Sequence, residues 1–344
     1  MAASTTPASD RVTAVHSTAN EKMRAIVQYA YGTADVLQLA EIDRPTIKSG
    51  EVLVQVRAAG LDRGTWHLMA GLPLVGRLAF GLRVPKRAVP GLDVAGVVVA
   101  VGKDITRFEP GDEVFGIAKG SFAEFAAARE DKLAHKPSNL MFEQAAAMSV
   151  SGQTALRGLR EVGRLEVGQK VLIIGASGGV GTYAVQIAKA LGAEVTGVCS
   201  TGKMDLVRSI GADHVIDYTH DDFADGEHHY DLILDIAGNS TLSRLRRALT
   251  PHGTLVIAGG EGGGRWFGGI DRQLRARVLS PFVGQRLTTF IAKEHHAGLE
   301  PLTLFVDSGQ LLPVIERTYP LSDAPMAMRH LEGGHARGKL VITV

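Results

Sequence analysis

The sequence is poor in cysteine, in charge of one sign and in long apolar runs. Its 344 residues include a single cysteine, Cys199, which excludes an internal disulfide and a structural zinc site of four cysteines. Lys and Arg number 37 against 36 Asp and Glu, a net charge of +1 that gives no overall field to attract nucleic acid or an anionic membrane. No stretch approaches the roughly 20 apolar residues of a membrane span. We therefore expect a cytoplasmic protein whose partners include no nucleic acid and no membrane.

The N-terminus differs in composition from the rest of the chain. Residues 1–20 are rich in Ala, Ser and Thr, and Arg11 is the only fixed positive charge there. A secretory signal needs an apolar core, and an organelle transit peptide is typically richer in arginine. We therefore predict a disordered tail over residues 1–22.

The remaining chain shows two patterns. Up to residue 152, short β-like runs are separated by Gly and Pro, which predicts a mostly antiparallel β-domain. From residue 153, strands alternate with helices, and residues 170–175 form the continuous apolar run of a strand buried on both faces. This second pattern predicts an α/β fold with a doubly wound parallel sheet.

The strongest chemical signal is a glycine-rich turn between a predicted strand and a predicted helix. Counted from Ala176, it matches the dinucleotide fingerprint with alanine at the first glycine position. Such a turn lets the backbone approach a diphosphate at the helix N-terminus. The alternative is a tight turn that is packed for structure alone. The predicted cofactor-binding residues of this turn are Ala176, Ser177, Gly178, Gly179, Val180 and Gly181.

The end of the next predicted strand indicates which dinucleotide is bound. An NAD site usually carries Asp or Glu there to hold the ribose 2′-hydroxyl. This chain has Ser200, Thr201 and Lys203 instead, and hydroxyls and an ammonium can bind a 2′-phosphate. The residues favour NADP(H), against the alternative of an ordinary loop with a solvated lysine.

With these residues in hand, the chain resembles the zinc-independent branch of the medium-chain dehydrogenase/reductase superfamily, especially quinone oxidoreductase-like (zeta-crystallin-type) proteins. The likeness runs from about residue 23 to 344. It rests on six motifs in order: residues 54–60, 90–96, 111–114 and 152–155, the glycine turn with 186–189, and residues 338–341.

The resemblance implies a GroES-like domain built from residues 23–152 and 301–344, with a Rossmann NADP-binding domain of residues 153–300 inserted between them. The active site would lie in the cleft between the domains. The resemblance also implies that Tyr218 helps to hold the adenosine phosphate and that Thr154 faces the nicotinamide. The substrate would be a small hydrophobic quinone or α,β-unsaturated carbonyl compound.

Three departures from zinc-dependent relatives stand at the positions of the metal ligands. Asp62 occupies the position of a cysteine, and Gly91-Leu92-Asp93 replaces a Gly-His-Glu element. No cysteine is present at 149–151. Catalytic zinc requires three protein ligands, so we expect no metal. Without a Lewis acid to lower the pKa of an alcohol, alcohol oxidation is disfavoured.

Two residues are candidates for catalysis. Asp62 could donate a proton, or it could cap a turn between glycines. His67 could polarise a carbonyl, although a single histidine beside apolar residues is more often structural. Solvent could also complete the protonation, because the cofactor carries out the hydride step. The apolar segment 71–85 could form a wall or lid for the substrate, and core packing explains it nearly as well.

Other readings remain open from the sequence. An arginine-rich region could bind nucleic acid, although a solvated helix face explains it better. The chain could also be an alcohol/aldehyde dehydrogenase, or a relative that binds NADP without turnover. A homodimer could form by pairing of edge strands at Leu287-Thr-Thr-Phe-Ile291. The arginines concerned are Arg244, Arg246, Arg247, Arg265, Arg272, Arg275 and Arg277.

Overall fold

The computed structural model describes residues 21–260, 263–290 and 294–344. Nearly all of the predicted N-terminal tail lies outside the described residues. The strands are β1 Lys22–Val27, β2 Gln38–Asp43, β3 Glu51–Leu61, β4 Asp93–Val101, β5 Glu113–Ile117, β6 Phe125–Arg129, β7 Leu133–His135, β8 Lys170–Ile174, β9 Glu194–Cys199, β10 His214–Asp217, β11 Tyr230–Asp235, β12 Leu249–Ile257, β13 Arg286–Thr289, β14 Ile315–Pro320 and β15 Lys339–Thr343. The α-helices are α1 Arg63–Ala70, α2 Arg77–Phe80, α3 Phe142–Leu156, α4 Gly179–Ala190, α5 Met204–Ser209, α6 Leu242–Arg247, α7 Ile270–Leu279, α8 His296–Asp307 and α9 Ala324–Glu332.

The α/β half contains a six-stranded parallel sheet in the order β10-β9-β8-β11-β12-β13. The strand order reverses between β8 and β11, and an open sheet of this type binds ligands outside the carboxyl ends of its strands at that point. Strand β8 is apolar and buried from Val171 to Ile174, as expected for a central parallel strand. The predicted doubly wound Rossmann sheet is confirmed.

The second sheet has seven strands and is mostly antiparallel, in the order β14-β15-β3-β4-β5-β7, with β6 paired to β3. Strand β15 runs antiparallel to β3, with Leu340 opposite Leu61. The chain end therefore completes the sheet that the N-terminal part begins. This arrangement confirms the GroES-like domain built from both ends of the chain.

Helix α3 joins the two halves. A single buried core extends from Ala95 and Phe115 of the antiparallel sheet, through Met148 of α3, to Val171 and Ile173 of the parallel sheet. The sequence-based boundaries after residues 152 and 300 fall inside α3 and α8, since both helices continue across them. These two helices therefore belong to the junction that positions the candidate site.

Candidate active site

The glycine-rich turn connects β8 to α4. Gly175 has φ of +90°, a conformation that L side chains rarely adopt. A Cβ atom at Gly181 would lie 2.1 Å from the Gly175 carbonyl oxygen, whereas a Cβ at Gly178 would meet only that oxygen, at 3.5 Å. Gly178 is the N-cap of α4, and the first N–H groups of a helix have no partner within it. The turn therefore fits a diphosphate, with open space in front of Gly178.

The remaining predicted residues of the turn have different surroundings. Ala176 is fully buried and donates its N–H to the Val198 carbonyl at 3.1 Å, so its methyl group is part of the core. The conformation that requires glycine occurs at Gly175, one residue before the predicted first position. Ser177 is buried, Val180 is half-buried, and Gly179 opens the helix beside the chain end.

The C-terminal segment lies directly against this turn. Gly338 donates its N–H to the Ser177 carbonyl at 2.9 Å, and Gly178 and Gly338 form a parallel bridge. A Cβ at Gly179 would lie 3.1 Å from Cδ of Lys339. The antiparallel domain thus contributes the side chains around Gly338 to the dinucleotide site. The sequence indicated this segment only as a family motif.

The corner beside β9 brings together three of the residues predicted for the 2′-phosphate. Lys203 donates from Nζ to the Ala336 carbonyl at 3.0 Å, and burial lowers the pKa of its ammonium. The guanidinium of Arg337 lies near Gly202, with Nη2 at 3.7 Å from a Cβ placed there. Thr201 lies at the same corner, and Ser200 is half-buried at the end of β9. Arg337 is a cation that the sequence analysis missed.

The same corner also contains a carboxylate that the sequence analysis did not consider. Asp217 ends β10 and accepts hydrogen bonds from the hydroxyls of Thr201 and Thr219 and from His220. The hydroxyl bonds hold the pKa of Asp217 well below its usual range. Tyr218 follows it, with an exposed ring and an N–H that donates to the Cys199 carbonyl at 3.1 Å. Thr201 is therefore positioned by an acid at this corner.

A buried cluster of charged groups lies on the other side of the turn. Lys339 is 1% exposed and Asp93 is fully buried. The Lys339 ammonium donates to Oδ2 of Asp93 at 3.2 Å and to Oγ of Ser151 at 3.1 Å. Oδ1 of Asp93 accepts the N–H of Val150 at 2.9 Å. Loss of water raises the pKa of Asp93 to about 7, although the Lys339 charge opposes that rise.

Asp62 belongs to the same cluster, because its charge adds to the rise in the pKa of Asp93. It is the N-cap of α1, and its Oδ1 accepts the N–H of Thr65 at 2.7 Å. The capping role that the sequence left open is therefore present. Oδ2 is buried and accepts no hydrogen bond, although buried polar atoms almost always have a partner. One oxygen of Asp62 thus caps α1, and the other is buried without a hydrogen-bond partner.

The other two predicted residues near the reaction centre lie on helices of this region. Thr154 is half-buried on α3 and donates its hydroxyl to the Val150 carbonyl at 2.8 Å, one turn from the Val150 N–H that contacts Asp93. His67 lies on α1 with Nδ1 2.8 Å from the Leu72 carbonyl oxygen, which favours the structural reading. Thr154 therefore lies one helical turn from a residue that contacts Asp93. One ring nitrogen of His67 contacts the Leu72 carbonyl in the loop after α1.

The donor set around Asp62 does not fit a catalytic zinc ion. Among the described residues, no group of three possible metal ligands includes Asp62 or Asp93, and the Lys339 ammonium already pairs with Asp93. A catalytic zinc ion is held by three thiolate, imidazole or carboxylate ligands, and its fourth tetrahedral position is left for water or substrate. Within the described residues, the group with metal-ligand spacing is Asp225, Glu227 and His228, which is exposed and is separate from the Asp93 cluster.

An apolar cavity of about 220 Å³ lies beside the cluster. Part of segment 71–85 lines this cavity, which agrees with the predicted substrate wall. Leu92 also lines the cavity, and its Cδ1 atom lies 4.0 Å from a Cβ placed at Gly64, so Leu92 connects the cavity to the region of Asp62. Leu78 and Leu82 of that segment are exposed instead. The apolar residues that line the cavity include Leu68, Ala79, Phe80, Pro85, Val89 and Leu92.

The arginine-rich region is largely occupied by local contacts. Arg244 pairs with Asp222 at 2.7 Å, and Arg272 pairs with the buried Asp235 at 2.6 Å. Arg275 pairs with Asp271. These contacts favour the solvated-face reading over a nucleic-acid surface.

Comparison with known proteins agrees with this geometry. Residues 48–138 match the family described as Alcohol dehydrogenase GroES-like domain, and residues 210–342 match the family described as Zinc-binding dehydrogenase. The chain is 34% identical to mouse mitochondrial NAD(P)H oxidoreductase RTN4IP1, over 94% of this chain and 89% of the relative. It is 33% identical to tomato 2-methylene-furan-3-one reductase, over 93% of this chain and 79% of the relative. The chain belongs to the medium-chain dehydrogenase/reductase family, in its quinone oxidoreductase-like branch.

Solved structures of this family show the same fold. The quinone oxidoreductase of Coxiella burnetii superposes with a TM-score of 0.81 at 27% identity, over 94% of this chain and all of that one. A mycobacterial protein complexed with NADPH superposes with a TM-score of 0.79 at 26% identity, with the same coverage. The predicted cofactor, NADP(H), is thereby confirmed, while the residues assigned to it remain a prediction. No α-helix in the described part of the chain is long and apolar enough to cross a bilayer.

Proposed function

We propose that this family member is a zinc-free, NADPH-dependent reductase that transfers hydride to a quinone or an α,β-unsaturated carbonyl compound. The observation that carries this proposal is the buried Lys339–Asp93 pair with Asp62 beside it. Relatives that use zinc hold their metal ligands at the positions of Asp62 and Leu92. Here the corresponding volume contains a leucine, two acids and an ammonium.

The basic corner at β9 supports NADPH over NADH. Lys203 and Arg337 can neutralise a 2′-phosphate, and the Thr201 hydroxyl is held in place by Asp217. Asp217 already accepts several hydrogen bonds, which leaves it few lone pairs for a ribose hydroxyl. The NADPH bound in the mycobacterial structure supports this choice.

The residues at the positions of the metal ligands, Asp62 and Leu92, favour reduction over alcohol oxidation. NADPH, when bound, supplies the hydride. An alcohol must lose its proton as it is oxidised, and without a Lewis acid this site offers little help with that step. A quinone or enone is already polarised, and it needs only a proton to complete reduction. The reductase of 2-methylene-furan-3-one and the quinone oxidoreductase among the relatives carry names of that substrate class.

Asp62 is the side chain that we assign to proton delivery. Its Oδ1 is fixed by the Thr65 N–H, which orients the carboxyl group, while Oδ2 is buried and unbonded. Asp93 lies next to it with a pKa near 7, so the cluster can gain or lose a proton close to neutral pH. The apolar cavity that reaches Leu92 accommodates a hydrophobic acceptor beside this carboxyl group.

The decisive experiment is NADPH oxidation by the purified protein with three kinds of acceptor: a naphthoquinone, an α,β-unsaturated ketone and a simple aldehyde. We expect turnover with the first two, none with the aldehyde or with the matching alcohol and NADP⁺, and no stoichiometric zinc on elemental analysis. Activity that is confined to the alcohol/aldehyde pair and is lost on chelation would refute the proposal. NADPH binding without turnover of any acceptor would identify a silent relative.

We also propose a homodimer through β13 and α7. Of the predicted segment 287–291, Ile291 lies outside the described residues. Strand β13 lies at the edge of the parallel sheet and overlaps that segment at residues 287–289. Leu274, Val278 and Phe282 beside it are 58%, 69% and 81% exposed, and exposed apolar clusters of this kind commonly mark protein interfaces. Sedimentation analysis should give a dimer for the native chain and a monomer for Val278→Ser/Phe282→Ser. The cytoplasmic location remains a prediction.

A further inference from the structure

Six large apolar side chains are exposed on two segments that contact each other. The segments are residues 71–92 and 263–269. The Leu74 N–H donates to the Arg265 carbonyl at 2.8 Å, and the Val75 N–H donates to the Trp266 carbonyl at 3.2 Å. We call the surface that these segments share the basic apolar face. Its exposed apolar residues are Val75 (36%), Leu78 (73%), Leu82 (68%), Val84 (57%), Trp266 (69%) and Phe267 (57%).

The same face carries positive charge with no matching negative charge. Its two segments contain five Lys and Arg residues and no Asp or Glu. Four of the five are exposed, and within the described residues none of these four forms an ion pair; Arg77, the fifth, is half-buried and donates to the Gly71 carbonyl at 3.0 Å. Of the flanking acids, Glu261 lies outside the described residues and Asp271 pairs with Arg275. The four exposed cations are Arg83, Lys86, Arg87 and Arg265.

This local charge contrasts with the rest of the molecule. The whole chain has a net charge of only +1, and elsewhere arginines commonly have acidic partners, as Arg24 does in Glu124 and Arg244 in Asp222. A surface on which cations without acidic partners lie among exposed Trp, Phe and Leu side chains is suited to binding at the boundary between lipid headgroups and acyl chains. There, amphipathic surfaces bury their apolar side chains while basic groups attract anionic headgroups. A two-fold contact between two copies through this face would instead oppose like charges.

We propose that the basic apolar face docks the protein on the surface of an anionic lipid bilayer. The apolar cavity shares Lys86 and Arg87 with this face, so docking would place the cavity mouth beside the lipid. Binding is peripheral, since no described helix can span a bilayer. The proposal does not depend on the reductase activity, because it concerns only where the protein binds.

The test is co-sedimentation of the full chain with vesicles of phosphatidylcholine, with or without phosphatidylglycerol. We expect binding only when phosphatidylglycerol is present, and weaker binding as salt is raised. Each basic residue near an anionic surface contributes about fivefold to affinity, so Arg83→Gln/Lys86→Gln/Arg87→Gln should bind roughly a hundredfold more weakly. Trp266→Ser/Phe267→Ser should lose binding independently of charge. Melting temperature and NADPH affinity should be unchanged in both variants.

Two matched controls separate this face from general surface effects. Arg57→Gln/Lys103→Gln/Lys170→Gln removes the same charge from exposed positions elsewhere. Val167→Ser/Leu304→Ser removes apolar residues that are 83% and 69% exposed. Both controls should bind like the native chain. The proposal is overturned if the native chain binds equally with and without phosphatidylglycerol. It is also overturned if a control variant loses as much binding as the matching face variant, or if the face variants change only the oligomeric state.

Discussion

The glycine turn and the Asp93 cluster are neighbours that are built by opposite means. At the turn, the backbone alone lines the surface at the N-terminus of α4, and a side chain is excluded at Gly181 because its Cβ would overlap the Gly175 carbonyl. In the cluster, the backbone only supports side chains whose charges are buried together. The turn should therefore respond to changes in volume, and the cluster to changes in charge and pH. Four predictions test that contrast.

The largest effect is expected from Lys339→Met, which keeps an unbranched chain of similar length but removes the partner of a buried carboxylate. Leaving such a charge unpaired costs about 3–5 kcal/mol. The folded-state pKa of Asp93 is already raised from 3.8 to about 7, and the substitution raises it further. Because this folded-state pKa lies above the unfolded value of 3.8, the stability is full only below 3.8 and is lost as pH rises from there through the folded-state pKa. Urea unfolding at about pH 4 and at about pH 8 measures the difference.

The matched control for this prediction is Asp93→Asn/Lys339→Met. It removes both charges, so its stability should exceed that of Lys339→Met above pH 7 and should depend less on pH. An equal loss for Lys339→Met at acid and alkaline pH would show that packing around Lys339, and not its charge, stabilises the cluster.

The second effect concerns Asp62. Asparagine caps helices as well as aspartate does, so Asp62→Asn should unfold at nearly the same denaturant concentration as the native protein. If Oδ2 delivers the proton, kcat should fall about a hundredfold and its pH profile should flatten. Asp62→Ala also removes the cap and should cost about a further 1 kcal/mol of stability. A kcat that stays unchanged in Asp62→Asn across the pH range would leave solvent as the donor.

The third prediction concerns the glycine turn. Gly181→Ala forces a Cβ to 2.1 Å from the Gly175 carbonyl, which should destabilise the protein by about 1–3 kcal/mol. Gly178→Ala meets nothing closer than 3.5 Å, so its melting temperature should change little. Its methyl group would occupy the space in front of the turn, and NADPH binding measured by fluorescence titration should weaken. If Gly178→Ala binds NADPH normally, the diphosphate does not lie there.

The smallest effect is expected at the basic corner. Arg337→Gln should raise the KM for NADPH about tenfold, the worth of one charge-assisted hydrogen bond, and should leave the KM for NADH nearly unchanged. Lys203→Glu should act in the same direction more strongly, because it adds a repulsive charge. Equal effects on both cofactors would remove these residues from 2′-phosphate recognition.

The same contrast explains what the sequence could reveal. The turn was predictable because its glycines lie a fixed few residues apart between a strand and a helix. Lys339 and Asp93 are 246 residues apart, and their contact depends on β15 joining the sheet beside β3 and β4. Arg337 was missed for the same reason. The parallel sheet therefore followed from local periodicity, and the antiparallel domain built from both chain ends followed from the family resemblance, whereas the charged half of the site required knowledge of which distant strands pair.

Single residues also show what spacing and residue type could not reveal. The fingerprint placed the first glycine position at Ala176, but the left-handed conformation is at Gly175, since several alignments of a glycine-rich run satisfy the same spacing. Both readings of Asp62 turned out to be compatible, because its two oxygens have different surroundings. Residue type alone does not distinguish the oxygens of one carboxylate.

The bridge between Gly178 and Gly338 has a consequence for biosynthesis. The glycine turn is synthesised at about the middle of the 344-residue chain, whereas Lys339, which lies beside Gly179, is the sixth residue from its carboxyl end. Any chain that stops before residue 339 keeps the glycine turn but lacks the Lys339 ammonium beside it, so Asp93 loses its ionic partner. A premature stop near the carboxyl end should therefore abolish activity and weaken the fold together, because it removes β15, which lies between β14 and β3 in the antiparallel sheet.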